Sequence, residues 1–381
     1  MKIGVLKLGA RILWDLDNSV TSGEAISICK ALRNGGAEVH VFTKILKKDT
    51  LHESLHWHQI METDPSVLQQ LDVLCVINGN VNFFGGAEDA EQIANYRLIN
   101  TFTGPVVYLM CDPELPFVQI WENVEKKPWG TKYTKDEILI QKPIHLVSQP
   151  YALLAVKADW PKKGVPLGQI VHYPMDRFPL LNPWLPPAEH PTVDLMYGGT
   201  ARGGRRIPNL YKWYCGLPDD ISVEIFGKID ETDFEKHPKI GKLPVKRYPQ
   251  FTGMVKYGDV LPKMQGALAH LVTGDPSYES LDLIPQRVAE CIAAGNIVFI
   301  DANIDKSRRI YPKGTAAHEY LYVRDQAMLV DLLRLIKSSP ETRQTIIEEQ
   351  RLALGWDPVQ FCENFVNTLS TFKWPATTPE F

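Results

Sequence analysis

The densest concentration of chemistry in this 381-residue chain is YGGTARGGRR, residues 197–206. Glycines let a backbone approach an anion, and a helix N-terminus adds free N–H groups and a positive dipole end. Arg202 and Arg206 are four apart. With a helix beginning here, both guanidiniums reach one side and can clamp a diphosphate. The stretch is neither G-x-G-x-x-G nor G-x-x-x-x-G-K-[ST], and a flexible glycine turn with solvated arginines is the other reading.

Further groups bear on the same question. Arg287 and Glu290 lie three apart, just after Pro285 at a helix start. The carboxylate can accept from both hydroxyls of a ribose while the arginine reaches phosphate or sugar; alternatively they form a plain intrahelical ion pair. Asp112 follows the apolar run PVVYLMC. Beyond the carboxyl end of a strand, an acid faces bound ligand and suits a general base for a hydroxyl group. Asp-Pro is equally a turn starter. Glu24, in the first turn of the first helix, is a second carboxylate on that side or a partner of the helix dipole.

The loop GNVNFFGGAED holds Asn82 and Phe84, which could wedge into stacked bases or, for the phenylalanines, anchor the core. Lys126, Lys127, Lys132 and Lys135 could track a phosphate backbone or simply be solvated. His52, His56 and His58 in LHESLHWH invite a metal, but no cysteine or carboxylate triad stands at zinc-like spacing, so a polar helix or loop is expected there.

These residues need a scaffold. KIGVLKL, EVHVFTK, VLCVING, PVVYLMC and IHLVSQ read as buried strands alternating with helices such as SGEAISICKALRNGG, whose expected N-cap is Ser22. That is the rhythm of a doubly wound parallel sheet. The proline-rich passage 172–191 reads as a linker or hinge, after which TVDLMYGG, SVEIFGK, GALAHLVTG and NIVFIDA begin a second α/β half. Two Rossmann-like domains facing a central cleft, the GT-B architecture, are expected, with two fused Rossmann-like domains of another enzyme class as the alternative. The expected division is 1–175 and 176–356, with a helix from about 357 to 381 packing back on the first domain through Phe361, Phe365 and Leu369.

Totals exclude some classes. Apolar content of 44% with 23% charged residues is that of a soluble globular protein. No apolar run approaches the roughly 20 residues of a membrane span, and MKIGVLKLGARIL lacks the features of a signal peptide. Six cysteines stand singly, several within apolar runs, as buried free thiols would. A net charge of −4 argues against a broad nucleic-acid-coating surface but allows a local basic cleft.

Taken together the motifs resemble the DNA β-glucosyltransferase family of T-even bacteriophages. The resemblance runs in order from Met1 to about residue 312 through NFFGG, the LPF-Q-W-NV pattern from Leu115, KPI, SQ, YGG---R-G-R, FTG at 251–253, GD--Y at 274–278 and R-x-x-E at 287–290. It implies a GT-B fold and inverting transfer from a UDP-sugar, most simply UDP-glucose, to 5-hydroxymethylcytosine in double-stranded DNA with base flipping. It also implies a divalent cation, Mg or Mn.

By the same resemblance, Asp112 is the catalytic base and Glu24 the acid near the sugar. Gly199, Thr200, Arg202 and Arg206 hold the diphosphate, the Val255 backbone reads uracil, and Asp275, Tyr278, Arg287 and Glu290 line the nucleotide wall. Asn82, Phe84 and Lys127 fall on the DNA side. Glu114 and Lys127 stand where the family has arginines, and the segment from Tyr278 to Arg287 is one residue longer. A pentose donor, or a UDP-sugar transferase or isomerase that does not act on DNA, are the alternatives. A soluble monomer in the cytoplasm of an infected bacterial host, with no membrane partner, completes the expectation.

Overall fold

The apolar runs become the central strands, whose side chains are buried on both faces of the sheet. The computed structural model describes residues 1–8, 23–44, 46–48, 51–77, 89–111, 140, 142–150, 166–201, 204–238, 240 and 247–372. The described residues fall into two compact units, one built from 1–181 and 357–372, the other from 182–356.

The first unit holds seven parallel strands: β1 (Lys2–Lys7), β2 (Glu38–Thr43), β3 (His56–Gln59), β4 (Val73–Ile77), β5 (Val106–Leu109), β6 (Ile144–Ser148) and β7 (Leu167–His172). Their order is β3-β2-β1-β4-β5-β6-β7. Every residue of β4, β5 and β6 is buried, which is why these strands read as unbroken apolar runs rather than as alternation. The second unit holds β8 (Val193–Thr200), β9 (Val223–Lys228), β10 (Gln250–Phe251), β11 (Ala267–Val272), β12 (Ile297–Asp301) and β13 (Tyr322–Val323), in the order β10-β9-β8-β11-β12-β13. Strand order reverses between β1 and β4 in one sheet and between β8 and β11 in the other. Ligands of such sheets bind beyond the carboxyl ends of the strands at these reversals.

The described helices are α1 (Gly23–Asn34), α2 (Pro65–Leu68), α3 (Asp89–Thr101), α4 (Ile207–Tyr214), α5 (Glu231–Glu235), α6 (Val260–Gln265), α7 (Pro276–Leu281), α8 (Arg287–Ala293), α9 (Ala316–Leu321), α10 (Gln326–Ser338), α11 (Pro340–Leu354) and α12 (Pro358–Ser370). Asp357 caps α12 by accepting from the Val359 and Gln360 amides, with Pro358 in the first turn. The helix buries Phe361, Phe365 and Leu369. The rings of Tyr173 and Phe178 lie 5.0 and 4.9 Å from that of Phe365, and the Tyr173 hydroxyl donates to the Phe361 carbonyl.

The first part of the proline-rich passage is therefore not a free linker. Met175–Leu181 forms a 3₁₀ turn with Met175, Phe178, Pro179 and Leu180 buried, because its apolar side chains have α1 and α12 to pack on. All six cysteines are buried free thiols, and burial pushes those of Cys29 and Cys215 up to about 12. Ser22, the expected cap of α1, lies outside the described residues.

Two stability predictions follow from this packing. A Cβ on Gly35 would run into the Cys362 carbonyl and the Val366 side chain where α12 crosses the end of α1. Gly35→Ala is expected to cost roughly 1–3 kcal/mol, read as a lower midpoint in urea. His270, on β11, is fully enclosed, and burial pushes its imidazole down to about 4, against 6.5 when free. Its stabilising contribution is complete above the unfolded value and is lost as pH falls toward 4. Unfolding free energy should drop by about 2 kcal/mol from pH 7 to pH 5 on this account. His270→Asn should flatten that pH slope in parallel melts.

Candidate functional site

The glycine-arginine stretch begins as the end of a strand. Gly199 and Thr200 are the last residues of β8, paired with Gly227 and Lys228 of β9. The helix that follows starts at Ile207, later than a clamp spaced along one helix face requires. Arg206 is its N-cap, and Pro208 accounts for this start, since proline is tolerated in a first turn and not further in. Arg206 is thus positioned by its surroundings. Its Nη1 donates to the Tyr197 hydroxyl at 3.3 Å, and its guanidinium lies over the Tyr278 ring, 5.8 Å from the centroid. Arg202 is outside the described residues.

Tyr278 sits on α7, directly after the end of β11. Asp275 caps that helix, its Oδ1 accepting from the Ser277 amide at 3.0 Å. The Asp275 side chain is fully buried, and its Oδ2 has no hydrogen-bond partner among the described residues. Asn209 of α4 ties the two segments together: its Nδ2 donates to the Gly274 carbonyl at 2.7 Å and to Glu279 Oε1 at 3.0 Å. The structure therefore brings Gly199, Thr200, Arg206, Asp275 and Tyr278 to the carboxyl edge of β8 and β11. Tyr197 and Asn209 belong to this arrangement and were not singled out from sequence. The signal available for Tyr197 was its place as the last residue before the glycines.

Arg287 and Glu290 open α8, the crossover between β11 and β12. A helix returning between parallel strands starts at their carboxyl edge, so this pair faces the same side as the first group. Arg287 Nη1 lies 2.7 Å from Glu290 Oε2, with both side chains about one-quarter exposed at 27% and 23%. Val255 stands in the segment between β10 and α6. Thr252, near its start, donates through its hydroxyl to Glu224 Oε1 at 2.6 Å and through its amide to the Ile225 carbonyl, pinning the segment to β9.

In the first unit, Glu24 lies in the first turn of α1 and meets Lys7, the last residue of β1, at 3.0 Å. Both are at the strand reversal beside β4. Asp112, Asn82, Phe84 and Lys127 lie outside the described residues. His56 and His58 are in β3, a strand and not the helix or loop expected, because they pair in parallel register with His40 and Phe42 of β2.

Residues 1–178 match the family model described as Bacteriophage T4 beta-glucosyltransferase. That stretch is a little under half of the chain. The whole chain is 28% identical over 352 residues, 92% of its length and 93% of the relative's, to the DNA beta-glucosyltransferase of Enterobacteria phage T4. It is similar to the solved structure of T4 phage BGT in complex with UDP and Mn2+, with TM-score 0.80 and 26% identity, over 98% of this chain and 100% of that one. A likeness to an alpha-glucosyltransferase in complex with UDP, at TM-score 0.60 and 12% identity over 98% and 100% of the two chains, concerns the fold alone. The fold is GT-B.

The position of Arg206 yields a prediction. Arg206→Ala is expected to weaken UDP binding about 10–100-fold in calorimetry, as loss of a charge-assisted hydrogen bond does. Arg206→Lys should restore little, since a point charge does not reproduce the planar fork held over Tyr278.

Proposed function

We propose that this protein transfers glucose from UDP-glucose to the hydroxymethyl oxygen of 5-hydroxymethylcytosine in double-stranded DNA, with inversion at the anomeric carbon. The observation that carries this reading is the carboxyl edge of the second sheet. There a glycine strand end, an arginine held over a tyrosine ring, a buried acid and an Arg-Glu pair stand together. Those are the parts a UDP-sugar requires: backbone and Thr200 donors with Arg202 and Arg206 for the diphosphate, Glu290 for the ribose hydroxyls, Arg287 for phosphate or sugar, and the Val255 backbone for uracil. The match of this chain along nearly its whole length to a DNA beta-glucosyltransferase supports the acceptor.

The chemistry is an in-line displacement. Asp112 takes the proton from the hydroxymethyl oxygen as that oxygen attacks the anomeric carbon opposite the diphosphate. Arg202, Arg206 and the first turn of α4 stabilise the charge that develops on the leaving group. Glu24, held by Lys7, is the acid near the sugar. The acceptor base must leave the stack first, at a cost of roughly a few kcal/mol, and Asn82, Phe84 and Lys127 serve that DNA side.

A divalent cation of the Mg or Mn class prefers oxygen ligands, and Asp275 fits it, with one carboxylate oxygen buried and still unpartnered among the described residues. Such a cation supplies neutralisation of the diphosphate. No helix among the described residues is long and apolar enough to cross a membrane. The reading includes a monomer acting in the cytoplasm of an infected bacterial host, where modified DNA and UDP-sugar meet.

A pentose donor is the second reading, favoured by one local feature. After α7 the chain turns at Asp282, with φ 50°, and buries Leu283 and Ile284 before Pro285, so the longer segment at the donor wall has its own shape. The deciding experiment offers UDP-glucose and a UDP-pentose together to hydroxymethylated duplex, followed by nucleoside mass spectrometry. A hexose adduct is expected, and Asp112→Ala should lower its rate by about 10²–10⁴-fold with UDP still bound. A pentose adduct alone would replace the donor; no adduct on DNA would remove the acceptor.

A further inference from the structure

At the opposite, amino-terminal end of the first sheet, β2 and β3 place three ligand-type side chains on one face. Glu38 and His40 are two apart on β2, and His56 is directly opposite His40 on β3. His40 Nε2 and His56 Nε2 lie 3.0 and 3.6 Å from the same oxygen, Glu38 Oε1. The three ligand atoms are all within 4.8 Å of one another. Ligands at roughly 2.0–2.1 Å from a tetrahedral zinc stand about 3.3 Å apart, so the separations of 3.0 and 3.6 Å bracket what one ion needs.

We propose that Glu38, His40 and His56 form a site for a borderline divalent metal of the zinc type. Two imidazoles and one carboxylate select Zn²⁺, Co²⁺ or Ni²⁺ over the hard, oxygen-seeking Mg²⁺ and Mn²⁺. The site is thus distinct from any cation held with a nucleotide diphosphate. The fourth position is open to water.

The surroundings are those of a supported ligand. His40 is buried, with 7% of its side chain exposed, and its ring centroid lies 4.7 and 5.3 Å from those of His56 and His58. Its Nδ1 is 3.0 Å from His58 Nε2, so one proton lies between them. Without metal, His58 Nε2–H donates to His40 Nδ1 and His40 Nε2–H donates to Glu38. With metal, each neutral ring carries its proton on Nδ1 instead. His40 then donates to His58 and turns its Nε2 lone pair to the ion, and the hydrogen bond to His58 fixes the ligand tautomer. No net proton is released. Lys2 Nζ, 3.4 Å from Glu38 Oε1 and 42% exposed, is the cation that the metal displaces into solvent. The bound ion joins the edge strand β3 to β2, which four residues of backbone pairing hold otherwise.

The test uses the full chain without an affinity tag, stripped with chelator, and Zn²⁺ in calorimetry with no nucleotide present. One Zn²⁺ per chain and a raised melting temperature are expected. His56→Ala, at a ring 57% exposed, should keep the fold by circular dichroism while weakening binding at least about 10-fold and removing the thermal shift. Glu38→Gln should weaken binding as well. Co²⁺ should give the absorption of a nitrogen- and oxygen-ligated ion without thiolate charge transfer. Absence of saturable binding, or a His56→Ala isotherm equal to that of the unchanged protein, overturns the proposal.

Discussion

The carboxyl edge of the second sheet depends on one close approach. At the ends of β8 and β9 the backbones of Gly199 and Gly227 face each other so tightly that a Cβ on residue 227 would overlap the Gly199 carbonyl. Gly227 also has φ +117°, a conformation that side-chain-bearing residues avoid. Its amide is spent on the Gly253 carbonyl at 2.7 Å, which brings in the segment leading to Val255. One glycine contact therefore sets where β8 ends, where Arg206 can stand and how the segment carrying Val255 hangs from β9.

Buried polar groups then hold this edge rigid. Asp301, at the end of β12, accepts from Trp213 Nε1 of α4 at 2.8 Å and from the Thr273 hydroxyl at 3.1 Å. The helix behind the arginine and the residue after β11 are thus locked to one carboxylate. With Asn209 added, α4, β11 and α7 form one hydrogen-bonded unit, and the ring of Tyr278 cannot move independently of the strand ends. For the phosphate role proposed for Arg206 such a frame matters, because an arginine gains most when little ordering remains to be done on binding. In the first unit the Lys7–Glu24 pair has the same character, joining the last residue of β1 to the first turn of α1.

Much of this was legible in the residues. Period and apolar runs identify buried parallel strands, and the boundaries of β11 and β12 fall within GALAHLVTG and NIVFIDA. Phe361, Phe365 and Leu369 announce the buried face of α12 by their spacing. The spacing of Arg202 and Arg206 misled, because it presumes a helix that Pro208 delays to Ile207. The proline-rich passage does hold the boundary between the two units, after Leu181, but its first part is packed: prolines signal the absence of regular structure, not the absence of packing, and Phe178 is core. Along the chain the acid nearest His56 is Glu53, which completes no zinc-like spacing with His56 and His58. Glu38 and His40 reach them only through strand register, a contact 18 residues long in sequence that no local spacing displays.

The acceptor side carries a constraint from charge. At a net −4 the chain offers DNA no general attraction, and beyond about 10 Å at 0.1 M salt such fields are screened in any case. Many described cations are already engaged with carboxylates: Lys7 with Glu24, Lys263 with Glu224, Arg287 with Glu290, Arg334 with Asp220 and Lys337 with Asp194. Of the residues proposed for the DNA side, only Lys127 is charged. On the proposed function, Asn82 and Phe84 would contribute hydrogen bonding and apolar filling of the stack rather than charge. Each phosphate contact contributes a salt-dependent term, so few of them mean a shallow dependence of affinity on salt. On the proposed function, recognition then rests on the extruded base and on the sugar poised beside it more than on the DNA backbone. An enzyme of this kind discriminates at the step where the hydroxymethyl oxygen meets its base, since an unmodified cytosine lacks the attacking oxygen altogether.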